Sequence, residues 1–185
     1  MKAILALALL CGLAFGYDRN AAVNYAKTYW NTANHKCGTY TSCTPYSYWG
    51  NEVCGYSSHG GDCANFVSQC LLAGGHSPLN TGGNCRGYPC GKEEVGAMEL
   101  AKCLSGSFGW ERTCGYYQGP PSNIQPGDVL IYHADSCSSY TAHATLVVST
   151  DNGSAQIACH SSARWYADYT YRGGSKPYYE WLHKN

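Results

Sequence analysis

The stretch Gly61-Asp62-Cys63-Ala64-Asn65-Phe66-Val67-Ser68-Gln69-Cys70-Leu71-Leu72 organises the reading of this chain. Cys63, Phe66, Val67, Cys70 and Leu71 recur at i, i+3, i+4, i+7 and i+8, the spacing of one buried helical face. Gly60-Gly61 ends any helix before it, and Gly74-Gly75 supplies the stop after it. Asp62 is the expected N-cap, since its carboxylate can accept backbone N–H groups of the first turn. Cys63 then lies in that first turn. There the helix dipole and the unpaired N–H groups favour a thiolate, and the same N–H groups can hold an oxyanion on an attacked carbonyl. The residues alone leave two readings of Cys63 open, a nucleophile or a half-cystine of the core.

Cysteine usage bounds the compartment. The chain of 185 residues suits one domain, and it holds 12 cysteines. Its first 16 residues read as a signal peptide: Lys2 is the positive region, Ala3 to Leu13 the apolar one, and Ala14-Phe15-Gly16 the small-x-small cleavage site. The apolar run is too short to anchor in a bilayer. The expected mature domain is 17–185, secreted or in an endosomal or phagosomal lumen. Cys11 leaves with the leader, so eleven cysteines remain, from Cys37 to Cys159. They imply an oxidising compartment and a disulfide framework of five bridges with one thiol left over, for which Cys63 is the expected residue and buried Cys70 its rival. No C-x-x-C occurs, so no structural zinc is expected, and nucleophilic chemistry on a cysteine would need no metal or organic cofactor. Without Lys2 the balance is 11 basic to 12 acidic residues, which points to neither nucleic acid nor an anionic membrane as partner.

Along the chain, Asp18 to Trp30 reads as a first helix capped by Asp18, and Lys92 to Leu104 as a third, weakened by Gly96. Residues 31–61, 74–91 and 105–127 read as irregular. The Tyr- and Trp-bearing part of 31–61 reads as packing around Cys37, Cys43 and Cys54, or as a groove. From Asp128 the period changes to that of strands. They are expected at Asp128–His133, His143–Thr150, Ser154–Ser161, Tyr166–Arg172 and Tyr178–His183. Helices first and strands later give an α+β class with an antiparallel sheet.

A cysteine nucleophile needs a base within reach and a group that orients the base. His143 opens one strand and His160 closes the next, while His35, His59, His76 and His183 read as solvated. A two-residue Asn152-Gly153 turn puts Asp151 opposite Ser154. Counted outward, Thr145 then faces His160, with His143 as its diagonal neighbour on the same face. Asn152-Gly153-Ser154 is also a glycosylation sequon, which makes Asn152 a candidate for a glycan.

The run GGDCANFVSQCLLAGG resembles the nucleophile helix of the putative amidase-domain family, a branch of the NlpC-type, papain-like cysteine peptidases. YDRNAAVNYAKTYW, QPGDVL, HATLVV and ACHSSARWY extend the resemblance over most of the chain. It implies a papain-like α+β fold whose N-terminal helices pack on a C-terminal antiparallel sheet. It also implies roles: Cys63 as nucleophile with its own N–H in the oxyanion site, His143 as base, His160 as orienter, and Asp62 as cap. The implied activity is hydrolysis of amide bonds in peptides, with bacterial peptidoglycan as the expected substrate. The extra cysteines and Tyr-rich loops depart from the plain family pattern. Two other classes stay open on the residues alone, a carbohydrate- or peptide-binding module and a disulfide-rich structural protein.

Overall fold

A computed structural model describes residues 16–31, 63–79, 81–85, 96–172 and 174–185. Three helices, α1 (Arg19–Tyr29), α2 (Cys63–Ala73) and α3 (Ala97–Phe108), precede six strands. These are β1 (Glu111–Tyr116), β2 (Val129–His133), β3 (Ala142–Asp151), β4 (Ser154–Cys159), β5 (Arg164–Asp168) and β6 (Tyr178–His183). The strands form one antiparallel sheet in the order β1-β6-β2-β3-β4-β5, so the class is α+β as the patterning predicts.

The organising helix begins at Cys63 and ends at Ala73, as its spacing implies, with Gly75 left-handed at φ 80°. Its burial exceeds the expected stripe: every residue from Cys63 to Leu71 is buried, because α2 lies between α1 and β3. The polar residues of its second face are satisfied internally. Gln69 donates to Asn65 Oδ1 (3.0 Å) and accepts from the Tyr25 hydroxyl (3.0 Å). Helix α1 is capped by Asp18, whose Oδ1 accepts from Ala21 N at 3.0 Å. The cap Asp62 lies outside the described residues.

The sheet carries a core on each face. Alternate side chains separate them. Val129, Ile131, Ala144, Leu146, Ala158 and Leu182 face the helices. Leu130, Tyr132, Val147, Ile157, Tyr179 and Trp181 build the second core, which Tyr169 and Tyr171 help to cover. The ends of the chain are tied together at Asp128, which is fully buried. Its carboxylate accepts from Arg19 Nη1 (2.6 Å), His183 Nδ1 (2.7 Å), Gln125 N (2.8 Å) and Lys184 N (3.2 Å).

Several boundaries depart from the sequence reading. Helix α3 starts at Ala97, with Gly96 as its N-cap rather than an interior residue, which fits the poor helix propensity of glycine. Strand β1 lies in a stretch read as loop. As an edge strand with a mostly exposed pattern it shows no alternation, and the Cys114–Cys137 disulfide holds it. Strand β5 ends at Asp168 because its Oδ1 accepts from Thr170 N (2.8 Å) and Thr170 Oγ1 (2.6 Å), which turns the chain. His76 and His183 are buried rather than solvated. His76 sits among the rings of Tyr17, Phe108 and Trp110, and His183 is held by Asp128.

Candidate active site

The start of α2, the start of β3, the end of β4 and the connection between β5 and β6 meet at one end of the sheet. They bring Cys63, His143, Cys159, Tyr171, Arg172 and Lys176 into one electrostatic neighbourhood. Arg172 and Lys176 both act on His143, and Cys63 acts on Arg172, Lys176 and Cys159.

His143 pairs across the ladder with Tyr132, so its side chain shares the face of Tyr132. It is buried, and its Nε2 lies 2.9 Å from the Tyr171 hydroxyl. Burial, with the nearby Arg172 and Lys176 charges, lowers its pKa to about 3, so the ring is neutral at physiological pH. Tyr171 in turn takes a hydrogen bond from Arg172 Nε (3.0 Å) and lies 3.2 Å from Cys159 Sγ. Burial, the largest influence, lifts the Cys159 pKa to about 11 and the Cys63 field adds to it; the Tyr171 hydrogen bond and the charges of Arg172 and Arg164 oppose the rise. Burial works against the Arg172 cation, but Tyr171, Cys159 and Cys63 outweigh it and raise its pKa. Lys176 is lowered by burial and by Arg172, against the opposing fields of Cys63 and Asp135, and its Nζ donates to Thr141 O at 2.7 Å.

His160 packs against α2. Its ring stacks on Phe66 of α2 at a centroid distance of 4.0 Å, and its Nε2 lies 2.9 Å from Tyr29 O. The hairpin sets His160 and His143 on opposite faces of the sheet. The turn has two residues, Asn152 and Gly153, with Asp151 opposite Ser154 as expected. A bulge between Val147 and Ser149 then shifts the register by one, so that Leu146 faces Ala158. Continued outward, Thr145 falls opposite Cys159 instead of His160. That one-residue slip exchanges the faces. His143 turns to the side of Tyr132 and Tyr171, and His160 to the side of Phe66.

Cys63, Cys70 and Cys159 all carry thiols, so Cys63 is not the single leftover of five bridges. Cys85–Cys103 and Cys114–Cys137 are disulfides, while Cys37, Cys43, Cys54 and Cys90 lie outside the described residues. Cys70 is fully buried and its pKa is well raised by that burial, an inert thiol. Cys114, His133 and Glu180 converge, but the Cys114 sulfur is bonded to Cys137 and His133 Nε2 lies 2.6 Å from Glu180 Oε2. That trio is structural. A cleft of about 310 Å³ lined by Pro120, Ile124, Thr150 and Asn152 lies at the β3–β4 turn, the opposite end of β3 from His143. Asn152 is exposed there.

The profile of the putative amidase domain family matches residues 16–181. The chain belongs to that family. It is also similar to the uncharacterized protein YhbB of Bacillus subtilis, with 29% identity over 156 residues, or 77% of this chain. The chain spans about 40% of the length of that relative. No solved structure matches it. Family membership points to amide hydrolysis, and the two disulfides among the described residues are consistent with an extracellular protein. No helix among the described residues is long and apolar enough to cross a membrane.

Sequence reasoning passed over Tyr171, Arg172, Lys176 and Cys159. Tyr171 and Arg172 lay in a stretch read as the end of a strand, and Cys159 counted as a half-cystine. No local signal distinguishes them, since their neighbourhood exists only after β4, β5 and β6 fold together.

Proposed function

We propose that this protein is a cysteine-dependent amidase with Cys63 as nucleophile and His143 as base. The observation that carries this reading is that a helix-start thiol and a buried, neutral imidazole both lie within the fields of Arg172 and Lys176, in a chain of the amidase family. A neutral imidazole can accept the thiol proton. The dipole of α2, Arg172 and Lys176 all favour the negative charge left on sulfur. The thiolate adds to the amide carbonyl, with the Cys63 N–H helping to hold the oxyanion. The imidazolium returns its proton to the leaving amine, and water, deprotonated by His143, releases the acyl group from sulfur.

The wider reading follows the resemblance: a papain-like arrangement of the NlpC type, with His160 packed on the nucleophile helix through Phe66. It takes residues 1–16 as a signal peptide, 17–185 as the exported domain, and peptides of the bacterial cell wall as substrate. The disulfides support export, and Asn152, exposed in its turn, is then open to glycosylation.

Cys63→Ala tests the assignment. The variant is expected to keep its circular dichroism spectrum and to lose hydrolysis of purified peptidoglycan by several orders of magnitude. Wall digestion by the variant at the parental rate removes the cysteine mechanism. Loss of structure together with activity is resolved by Cys63→Ser, which keeps the size and hydrogen bonding of the side chain but not its nucleophilicity.

A further inference from the structure

We propose that Tyr171 is the positioning residue of this site: its phenolic oxygen accepts the Nε2–H of His143 and so leaves Nδ1 as the basic atom for Cys63. The proposal rests on the reading of Cys63 and His143 as nucleophile and base. It replaces His160 in the role of orienter.

Donor and acceptor counting supports the arrangement. The Arg172 guanidinium can only donate, so its Nε–H, 3.0 Å away, occupies one lone pair of the Tyr171 oxygen. His143 Nε2, at 2.9 Å, approaches the same oxygen. If the imidazole carries its proton on Nε2, that bond fills the second lone pair. The Tyr171 O–H then points to Cys159 Sγ at 3.2 Å, and the Cys159 S–H donates to Ser162 O at 3.4 Å. Every donor in the chain His143–Tyr171–Cys159–Ser162 has an acceptor. The opposite orientation, Tyr171 donating to Nε2, places the proton on Nδ1 and leaves His143 no basic atom for a thiol.

The bond also serves the next step. When Nδ1 takes the Cys63 proton, the imidazolium still donates Nε2–H to Tyr171, so no hydrogen bond has to be exchanged. His160 is placed differently, with Nε2 on the Tyr29 carbonyl and its ring flat on Phe66. Among the described residues, Tyr132 on β2, Tyr171 and Arg172 after β5, and Lys176 before β6 bear on His143, and Cys159 on β4 reaches it through Tyr171.

The test separates the hydrogen bond from the reaction. In the full chain labelled with ¹⁵N-histidine, the His143 ring is expected to show one neutral tautomer at pH 7, with Nε2 protonated. In Tyr171→Phe the signal is expected to shift toward a tautomer mixture. Alkylation of Cys63 by iodoacetamide at pH 6–8, read by peptide mapping, is expected to slow roughly tenfold or more in Tyr171→Phe. His160→Gln is expected to leave both the tautomer and the pH profile of alkylation as in the parent. An Nδ1-protonated parent overturns the proposal. So does a Tyr171→Phe protein with unchanged tautomer and alkylation, or a His160→Gln protein that shows the losses instead. If Tyr171→Phe does not fold, the parent tautomer and the His160→Gln comparison still decide. A parent whose Cys63 resists alkylation, yet whose His143 tautomer depends on Tyr171, instead removes the nucleophile reading and keeps the bond.

Discussion

His143 is the residue whose burial bears on both the proposed chemistry and the stability of this protein. Burial comes first among the causes that lower its pKa to about 3, followed by Arg172 and Lys176. An unfolded chain would titrate the same group near the usual histidine value of about 6.5. Between those two values the unfolded state binds a proton that the folded state refuses. Stability is therefore complete above about pH 6.5 and falls as pH drops toward 3, where the slope from this group ends. Each unit of separation is worth about 1.4 kcal/mol, so the loss reaches up to about 5 kcal/mol. His76, lowered chiefly by burial, adds a contribution of the same sign. The expected outcome is that His143→Gln unfolds less steeply with acid than the parent. Urea midpoints measured from pH 7 to pH 3.5 check it, and parallel curves would deny His143 this role.

At the scale of elements, the approach of α1 to the end of α2 is set by a glycine. Asp18 N donates to Gly74 O at 2.8 Å, closing the chain start against the helix end. A Cβ at Gly74 would stand 2.6 Å from Tyr17 Cε2 and 2.7 Å from Asp18 O. The tyrosine ring has some freedom, but the backbone carbonyl does not. Gly74→Ala is therefore expected to destabilise the fold by about 1–3 kcal/mol, the usual range for overpacking. Chemical denaturation reads it directly, and an unchanged midpoint would mean that the two helices separate without cost. The bulge in β3 acts at the same scale with a larger chemical consequence. By slipping one residue it places the line of His143 beside Cys159 and Tyr171, and sends His160 to the helix side.

For the whole molecule, the pattern of thiols and disulfides is the property to measure. Three thiols among the described residues leave room for at most four disulfides in the eleven cysteines from Cys37 on. Native protein treated with iodoacetamide near pH 6 is expected to be labelled at Cys63. Cys70 and Cys159, both fully buried with raised pKa values, are expected to react only after unfolding. Cys85–Cys103 and Cys114–Cys137 should be recovered as linked peptides. The same peptide map reads whether Asn152 carries a glycan. Native labelling of Cys159 in place of Cys63 would reverse the assignment of the nucleophile.

What the sequence determined by itself is the set of local signals. Helix α2 starts at Cys63 and stops before Gly74-Gly75 because apolar spacing and glycine stops act within a few residues. Asp18 caps α1, Asn152-Gly153 makes the two-residue turn, and β6 spans Tyr178–His183, all for reasons carried by neighbouring residues. The antiparallel α+β class follows from the order of those signals. What only the tertiary structure decided is which side chains meet. The bulge at Val147–Ser149 has no glycine or proline to announce it, yet it reverses the face of everything beyond it. Strand β1 exists through its pairing with β6 and its disulfide, not through its own pattern. Burial made Asp128, His76 and His183 parts of the interior, and it joined Tyr171 and Arg172 to His143 across a gap of 28 or more residues. Hydrogen bonds and fields over a few ångströms depend on distances in space, and periodicity along a chain does not encode those.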